Sequence, residues 1–128
     1  MIRAVSDAPN APKAIGPYSQ AVISGNFAFL AGQVPINPDT GKLVDDSIEA
    51  QVTQVMKNIG SVLSHLKLDF SHVVKTTIFL SDFSYFQAVN TVYAEYMGET
   101  RPARSTVAVA GLPLGAKVEI EVVAVVEK

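Results

Sequence analysis

The chain contains no cysteine, so disulfides and thiol chemistry are excluded. Charged residues make up only 17% of its 128 residues, and the net charge is -2. The basic stripe that nucleic-acid-binding proteins usually carry is missing. No apolar run approaches the roughly 18 residues needed to span a membrane, and the first residues lack the apolar core of a signal peptide. We therefore expect a cytoplasmic protein that binds neither nucleic acid nor membrane.

Residues typical of metal and nucleotide sites are also scarce. His65 and His72 are the only histidines, and neither has a second ligand at metal-binding spacing. The sequence has no Ser-His-Asp pattern, phosphate-binding loop or dinucleotide-binding glycine motif. We therefore expect no metal site and no cofactor.

Apolar residues are abundant, at 48% of the chain. The length suits a single domain, residues 1–128, with a substantial hydrophobic core. No repeat, low-complexity tract or long linker divides it. The apolar excess indicates that part of the surface is covered in an oligomer.

The N-terminal part predicts strands and turns. Residues 7–17 contain three prolines and predict an irregular arm. Two apolar runs, 21–23 and 27–31, are separated by Ser-Gly-Asn, which is typical of a β-hairpin. Residues 37–41 have the composition of a turn, and a weak strand is predicted at residues 2–5.

Two amphipathic helices are predicted further along. The first follows Ser47, a suitable N-cap, and the second follows Ser81 or Asp82 and ends before Gly98. Residues 73–80 between them are rich in β-branched side chains and predict a strand. The apolar positions that recur at three- and four-residue steps are Val52, Val55, Met56, Ile59, Leu63 and Leu66, then Phe86, Val89, Val92, Tyr93, Tyr96 and Met97.

The last two strands are predicted at 104–110 and 117–126, joined by residues 111–115. This order favours an α+β fold, with a mixed sheet of about six strands and both helices on one face. The last strand is apolar on both sides, whereas a strand with one wet face should alternate. A partner subunit is the simplest cover for its second side.

Arg104 and Glu119 are charges within these apolar strands, where an unpaired charge is costly. We interpret them as two separated parts of a small-molecule site. If the strands form a hairpin with Ala110 opposite Lys117, Glu119 faces Ala108. It then shares a sheet face with Arg104, roughly 13 Å away along the strand. A register shift of one residue would reverse the face.

Six short stretches occur in an order and spacing that resembles one protein family. They are AIGPYSQ at residues 14–20, AGQVP at 31–35, VKTTIFL at 74–80, VNTVY at 89–93, RPARS at 101–105 and VEIE at 118–121. The family is that of the reactive-intermediate deaminases, RidA, also called the YjgF type. The resemblance runs from about residue 11 to the end of the chain.

The resemblance implies a chorismate-mutase-like fold and a homotrimer whose sheets pack inward, with a site in each cleft between subunits. It also implies hydrolysis of 2-imino or enamine acids, such as 2-iminobutanoate and 2-iminopropanoate, to the 2-keto acid and ammonia. The partners would be small imino-acid and keto-acid carboxylates. Such an activity would detoxify metabolites produced by pyridoxal-phosphate enzymes.

Three residues carry the implied catalysis. The guanidinium of Arg104 can hold a substrate carboxylate with two charge-assisted bonds, although it could instead pair with a surface carboxylate. Glu119 could activate a water or protonate the departing nitrogen. Tyr18 could donate its hydroxyl to the substrate, or be a core tyrosine. Glu119 or Glu121 could also be a strand-edge charge that prevents aggregation, which we favour for Glu121.

The resemblance implies further contacts with the substrate. Ala31 and Gly32 would let the backbone approach it closely. Asn90 would line the cleft, unless it is simply exposed on its helix. The backbone carbonyl of Thr106, which stands where many relatives have cysteine, would help hold the water. Leu114 stands where many relatives have a basic residue, so a positive rim is absent.

Two functions of other classes are alternatives. A regulatory module would bind a small carboxylate without turnover, and would need Arg104 but not Glu119. A ribonuclease or translation inhibitor is the other, but the sequence pI of about 5.6 and the missing basic stripe argue against it.

Overall fold

Two helices pack on one face of a six-stranded mixed sheet, which confirms the predicted fold class. The computed structural model describes all 128 residues. The strands and helices are β1 (Ile2–Val5), β2 (Ala21–Ser24), β3 (Phe27–Gln33), β4 (Ile36–Asn37), β5 (Lys42–Leu43), α1 (Ile48–His65), β6 (Val73–Leu80), α2 (Phe86–Met97), β7 (Ala103–Ala108) and β8 (Val118–Val125). In the sheet the strand order is β1-β2-β3-β8-β6-β7, and β4 and β5 form a separate hairpin at the predicted turn.

The helix ends follow from their capping residues. At the start of α1 the Ser47 hydroxyl accepts a hydrogen bond from the Ala50 N–H at 3.1 Å, as its N-cap position predicts. Asp82 caps a single 3-10 turn at Phe83–Tyr85, so α2 begins only after that turn. Gly98 follows α2 with a φ of 60°, a backbone conformation that glycine adopts without a steric penalty.

The core lies between the helices and the sheet face that they cover. The predicted helical stripes supply much of it, because side chains three and four residues apart share one face of a helix. Fully or almost fully buried members include Val55, Met56, Ile59 and Leu63 of α1, Val89 of α2, and Leu30, Ile78 and Ile120 of the sheet.

The hairpin that we considered for the last two strands does not form, because they are not neighbours in the sheet. The β6–α2–β7 segment is a crossover that makes β7 parallel to β6, so β8 pairs with the other side of β6. Arg104 is therefore level with Thr76, and Glu119 is level with Phe79. Paired residues share a sheet face and successive residues alternate. Arg104 therefore faces the helices, whereas Glu119 faces the opposite, open side.

The open side of the sheet is not covered within the chain. Phe27, Phe29 and Val107 are 45%, 46% and 42% exposed on it. Glu121 is exposed on the same side, but β8 is a central strand. Our interpretation of Glu121 as a strand-edge charge is therefore wrong. Neither helix combines the length and the apolar character that crossing a membrane requires.

Candidate functional site

A cleft of about 510 Å³ opens beside Glu119. It brings together four of the residues predicted for the site, which are Tyr18, Ala31, Gly32 and Glu119. The remaining walls are apolar and come from Ile15, Val34, Ile36, Pro113 and Leu114. The cleft therefore presents one carboxyl group and one phenol in otherwise apolar surroundings.

Gly32 lets the Glu119 carboxyl lie directly against the backbone of β3. Between Leu30 and Gln33, β3 has one more residue than the facing part of β8, which is a β-bulge containing Gly32. A Cβ atom on Gly32 would overlap the Glu119 carboxylate. The close approach predicted for Gly32 is thus an approach to a side chain of the same chain.

The surroundings of Glu119 favour its protonated form. Partial burial raises the pKa of the Glu119 carboxyl above its ordinary value, and the negative charge of Glu121 raises it further. Glu121 lies two residues along β8 on the same face. A carboxyl whose pKa is shifted toward neutrality is suited to accept a proton and return it.

Tyr18 is positioned by the proline arm. The buried Gln20 side chain accepts a hydrogen bond from the Ala8 N–H at 2.8 Å and donates one to the Pro12 carbonyl at 2.9 Å. The Tyr18 N–H donates to the Gly16 carbonyl at 2.8 Å. The Tyr18 side chain is 54% exposed, so it is not a core tyrosine.

Asn58 fixes one wall of this cleft, and sequence reasoning missed it. From its fully buried position on α1, its amide donates to the carbonyl oxygens of Val34 and Ile36, at 3.2 and 3.0 Å. Gln54 donates to the Asn58 side-chain oxygen at 2.8 Å. A polar amide next to the apolar stripe of a helix is the available signal, because buried amides require hydrogen-bond partners.

Arg104 lies in a second cleft, of about 320 Å³, between β7 and α2. Its Nη1 donates to Asn90 Oδ1 at 2.7 Å. Its guanidinium carbon is 5.2 Å from the centroid of the Tyr93 ring and 5.6 Å from that of Phe86, within cation–π range. The chain thus holds Arg104 with an amide and two aromatic rings, and not through a salt bridge to a carboxylate.

Arg101 and Thr106 lie near Arg104 but differ from it in their hydrogen bonding. Arg101 lines the same cleft, but its guanidinium donates to the carbonyl oxygens of Gly98 and Thr100, at 2.6 and 3.0 Å. Thr106 is level with Ile78 and faces the helices, and its hydroxyl oxygen is buried without a hydrogen-bond partner.

The predicted site residues therefore form two groups within one chain. Tyr18 and Glu119, with the β3 bulge, line the cleft on the open side of the sheet. Arg104, Asn90 and Thr106 lie on the helix side, at the sheet edge formed by β7. One chain does not bring the two groups together.

A larger cleft, of about 570 Å³, lies elsewhere, beside α1 and the tip of the β4–β5 hairpin. Its lining is largely polar and includes Asp39, Lys57 and His65. His65 Nε2 is 3.0 Å from an oxygen of the Asp7 carboxylate. None of the predicted site residues lines this cleft, so we do not assign the function to it.

Comparison with known proteins decides the family. A family model described as Endoribonuclease L-PSP matches residues 8–126. The chain belongs to this family. One relative is the Arabidopsis thaliana protein named Reactive Intermediate Deaminase A, chloroplastic, which is 52% identical to this chain over 114 residues. Those residues are 89% of this chain but only 61% of the plant protein.

Two further relatives match along almost their whole length. The human protein named 2-iminobutanoate/2-iminopropanoate deaminase is 42% identical over 125 residues, which cover 98% of this chain and 91% of that protein. The crystal structure of YyfA from Yersinia pestis, described as belonging to the Rid protein family, is 49% identical, with a TM-score of 0.94. The aligned region covers 98% of this chain and 99% of YyfA. The predicted membership of the reactive-intermediate deaminase family is confirmed.

Proposed function

We propose that this protein hydrolyses small 2-imino acids, such as 2-iminobutanoate and 2-iminopropanoate, to 2-keto acids and ammonia. The observation that carries the proposal is the partly buried Glu119 carboxyl, which lies against Gly32 in an apolar cleft with a raised pKa. A relative named for this activity, 42% identical to the chain, supports the choice of substrate. Clearing such imines would protect pyridoxal-phosphate enzymes.

In the proposed reaction, water adds across the C=N bond of the substrate. Ionised Glu119 takes a proton from the water as the water oxygen bonds to the carbon of the protonated imine, which gives a neutral carbinolamine. Glu119 then returns this proton to the nitrogen, the C–N bond breaks to release ammonia, and the C=O bond forms as the hydroxyl proton passes to solvent water. Tyr18 donates its hydroxyl to the substrate, and the Thr106 carbonyl helps to orient the water. Arg104 binds the substrate carboxylate through donors that Asn90 leaves free.

We further propose that each site is shared between two subunits of a homotrimer. Arg104 and Glu119 face opposite sides of the sheet, so one chain alone cannot present both to one small substrate. The exposed apolar side chains Phe27, Phe29 and Val107 offer a surface for packing between subunits. The two clefts would then be halves of one site.

The activity is tested directly by generating 2-iminobutanoate in situ with a threonine dehydratase and following its decay. We expect the wild-type protein to accelerate the decay beyond the rate in buffer. Binding of 2-oxobutanoate without acceleration would favour the regulatory alternative. The proposal fails if added protein leaves the decay rate unchanged.

The family model is described as an endoribonuclease, but the charge of this chain does not favour ribonuclease activity. The chain carries 10 basic and 12 acidic residues and has no basic stripe. The Glu119 cleft has no cation among its lining residues, so it does not resemble a surface for a polyanion.

Complementation between inactive variants tests the shared site. Arg104→Ala and Glu119→Gln should each be nearly inactive alone. In trimers assembled from equal amounts of both, about one quarter of the sites would receive an intact Arg104 from one subunit and an intact Glu119 from its neighbour. We expect about one quarter of wild-type activity after co-expression, measured as imine decay.

The control is a mixture of two preparations that both carry Glu119→Gln, which should stay inactive. Sedimentation should show that the co-expressed species is a trimer. A trimer of mixed composition without recovered activity would mean that each site is built from a single chain, contrary to the proposal.

Gly32→Ala should impair catalysis and leave the fold intact. The new methyl group would displace the Glu119 carboxylate, which can swing away at little cost because it ends a flexible side chain. We expect kcat/KM for 2-iminobutanoate to fall by about 10- to 100-fold, since misplacing a catalytic group by about 1 Å can have that effect.

Gly60→Ala is the matched control for Gly32→Ala. Its added Cβ would meet the Phe70 ring at an ordinary distance of 3.5 Å, away from both clefts. Kinetics and thermal unfolding of both variants should be compared. Full activity in Gly32→Ala would show that the close contact with Glu119 is not needed.

A further inference from the structure

We propose that Thr76 and Tyr93 are positioning residues that hold the Arg104 guanidinium ready for a substrate carboxylate. The inference rests on the proposed function, because it concerns the residue assigned to carboxylate binding. Neither side chain was identified from the sequence as part of the site. Both act through Arg104, and neither needs to touch the substrate.

The backbone places the three residues side by side. Thr76 on β6 is the register partner of Arg104 on β7, so their side chains leave the sheet next to each other on the helix side. Tyr93 on α2 contacts both of them. Its hydroxyl is 2.8 Å from the Thr76 hydroxyl oxygen, while its ring lies 5.2 Å from the Arg104 guanidinium carbon.

Burial makes this hydrogen bond specific. Thr76 is 1% exposed and Tyr93 is 7% exposed, so water cannot readily replace either hydroxyl as a partner. The bond therefore anchors the hydroxyl end of Tyr93 beside Thr76 and holds its ring next to Arg104. A ring anchored at this end gives Arg104 one preferred stacking position, whereas a ring whose far end can move would not.

Two other contacts complete the support. The ring centroid of Phe86, at the start of α2, lies 5.6 Å from the Arg104 guanidinium carbon. The Phe86 ring is stacked on that of Phe83, with 5.2 Å between their centroids. Asn90 accepts one guanidinium N–H. A guanidinium has five N–H donors, so four remain for a carboxylate. Orientation by rings consumes none of these donors, which is why aromatic support suits a carboxylate-binding arginine.

The consequence is a distinct kinetic signature. A carboxylate that does not react is bound equally in the ground state and the transition state, so loosening its arginine should raise KM with little change in kcat. Thr76→Val and Tyr93→Phe remove the two halves of one hydrogen bond. We expect each to raise KM for 2-iminobutanoate by about 3- to 10-fold. The double variant should be no worse than either single one.

Side-chain NMR gives a readout that does not depend on catalysis. The chain has only three arginines, so the Arg104 Nε–Hε resonance can be assigned by its loss in Arg104→Lys. We expect this resonance to report a rigid side chain in the wild type and a mobile one in Thr76→Val and Tyr93→Phe. Thr76→Ser keeps the hydroxyl, and should restore both the rigid signal and the low KM.

The possible failures can be told apart. If the wild type does not accelerate imine decay, the proposed function fails, but the NMR comparison still tests the support of Arg104. If Arg104 is equally ordered in all variants, or if the two substitutions have additive effects on KM, the positioning role is refuted. A lower thermal stability alone, with unchanged Arg104 order and KM, would also refute it.

Discussion

Replacing Arg104 with alanine is expected to lower kcat/KM for 2-iminobutanoate by about 100-fold or more. Charge-assisted hydrogen bonds contribute about 1.5–3 kcal/mol each, and two of them are lost. The lower end of that range applies, because the Arg104 side chain is exposed in the single chain. Arg104→Lys should recover only part of the loss, since an ammonium group keeps the charge but not the planar pair of donors. Steady-state kinetics on imine generated in situ measures both.

Arg3→Ala is the matched control, because Arg3 lies on β1, at the opposite edge of the sheet from Arg104 on β7. It should leave kcat/KM within about twofold of wild type, as expected for an exposed charge outside the site. Product binding gives a second measurement: 2-oxobutanoate should bind Arg104→Ala more weakly. Wild-type kinetics in Arg104→Ala would show that the carboxylate is bound by another group.

The fold could be predicted largely from local patterns. The stripes of α1 and α2, the cap at Ser47 and the strand at β6 are properties of short segments, and the structure has them where the sequence places them. Strand pairing is different, because it depends on segments far apart in the chain. The β7–β8 connection looked like a hairpin, yet the crossover through α2 puts β7 next to β6, and β8 must pair on the other side.

The observed strand order gives the site a geometry different from the one expected for a hairpin. In a hairpin, Arg104 and Glu119 would share a sheet face; with β6 between the two strands they face opposite sides. The residues themselves were recognisable as charges in apolar strands. The groups proposed to support Arg104, Thr76 and Tyr93, and the residue that fixes the wall of the Glu119 cleft, Asn58, were not, because they resemble ordinary members of a strand and two helices. Their roles depend on contacts between distant segments.

The opposite faces also explain why oligomerisation and catalysis would be coupled in this protein. A sheet with an uncovered apolar side gains stability by packing against other copies. If the same packing brings the Arg104 edge of one chain to the Glu119 cleft of another, assembly completes the site. A carboxyl kept partly buried and near a second carboxylate is then ready as the proton acceptor before the substrate arrives.

Glu119→Gln should lower kcat for 2-iminobutanoate by about 10²- to 10⁴-fold, the range typical of general acid–base catalysis. The pH dependence identifies the group. Because burial and Glu121 raise the Glu119 pKa, the carboxylate becomes protonated at a higher pH than an ordinary glutamate would. On acidification, wild-type activity should therefore begin to fall at a higher pH than an ordinary glutamate would predict.

Glu121→Gln, the matched control, should stay active. It removes the second cause of the shift, so its acidic limb should move to lower pH. The proton transfer would be assigned to another residue by two results together. Glu121→Gln would have the same pH profile as the wild type, and the residual activity of Glu119→Gln would still fall at the same acidic pH.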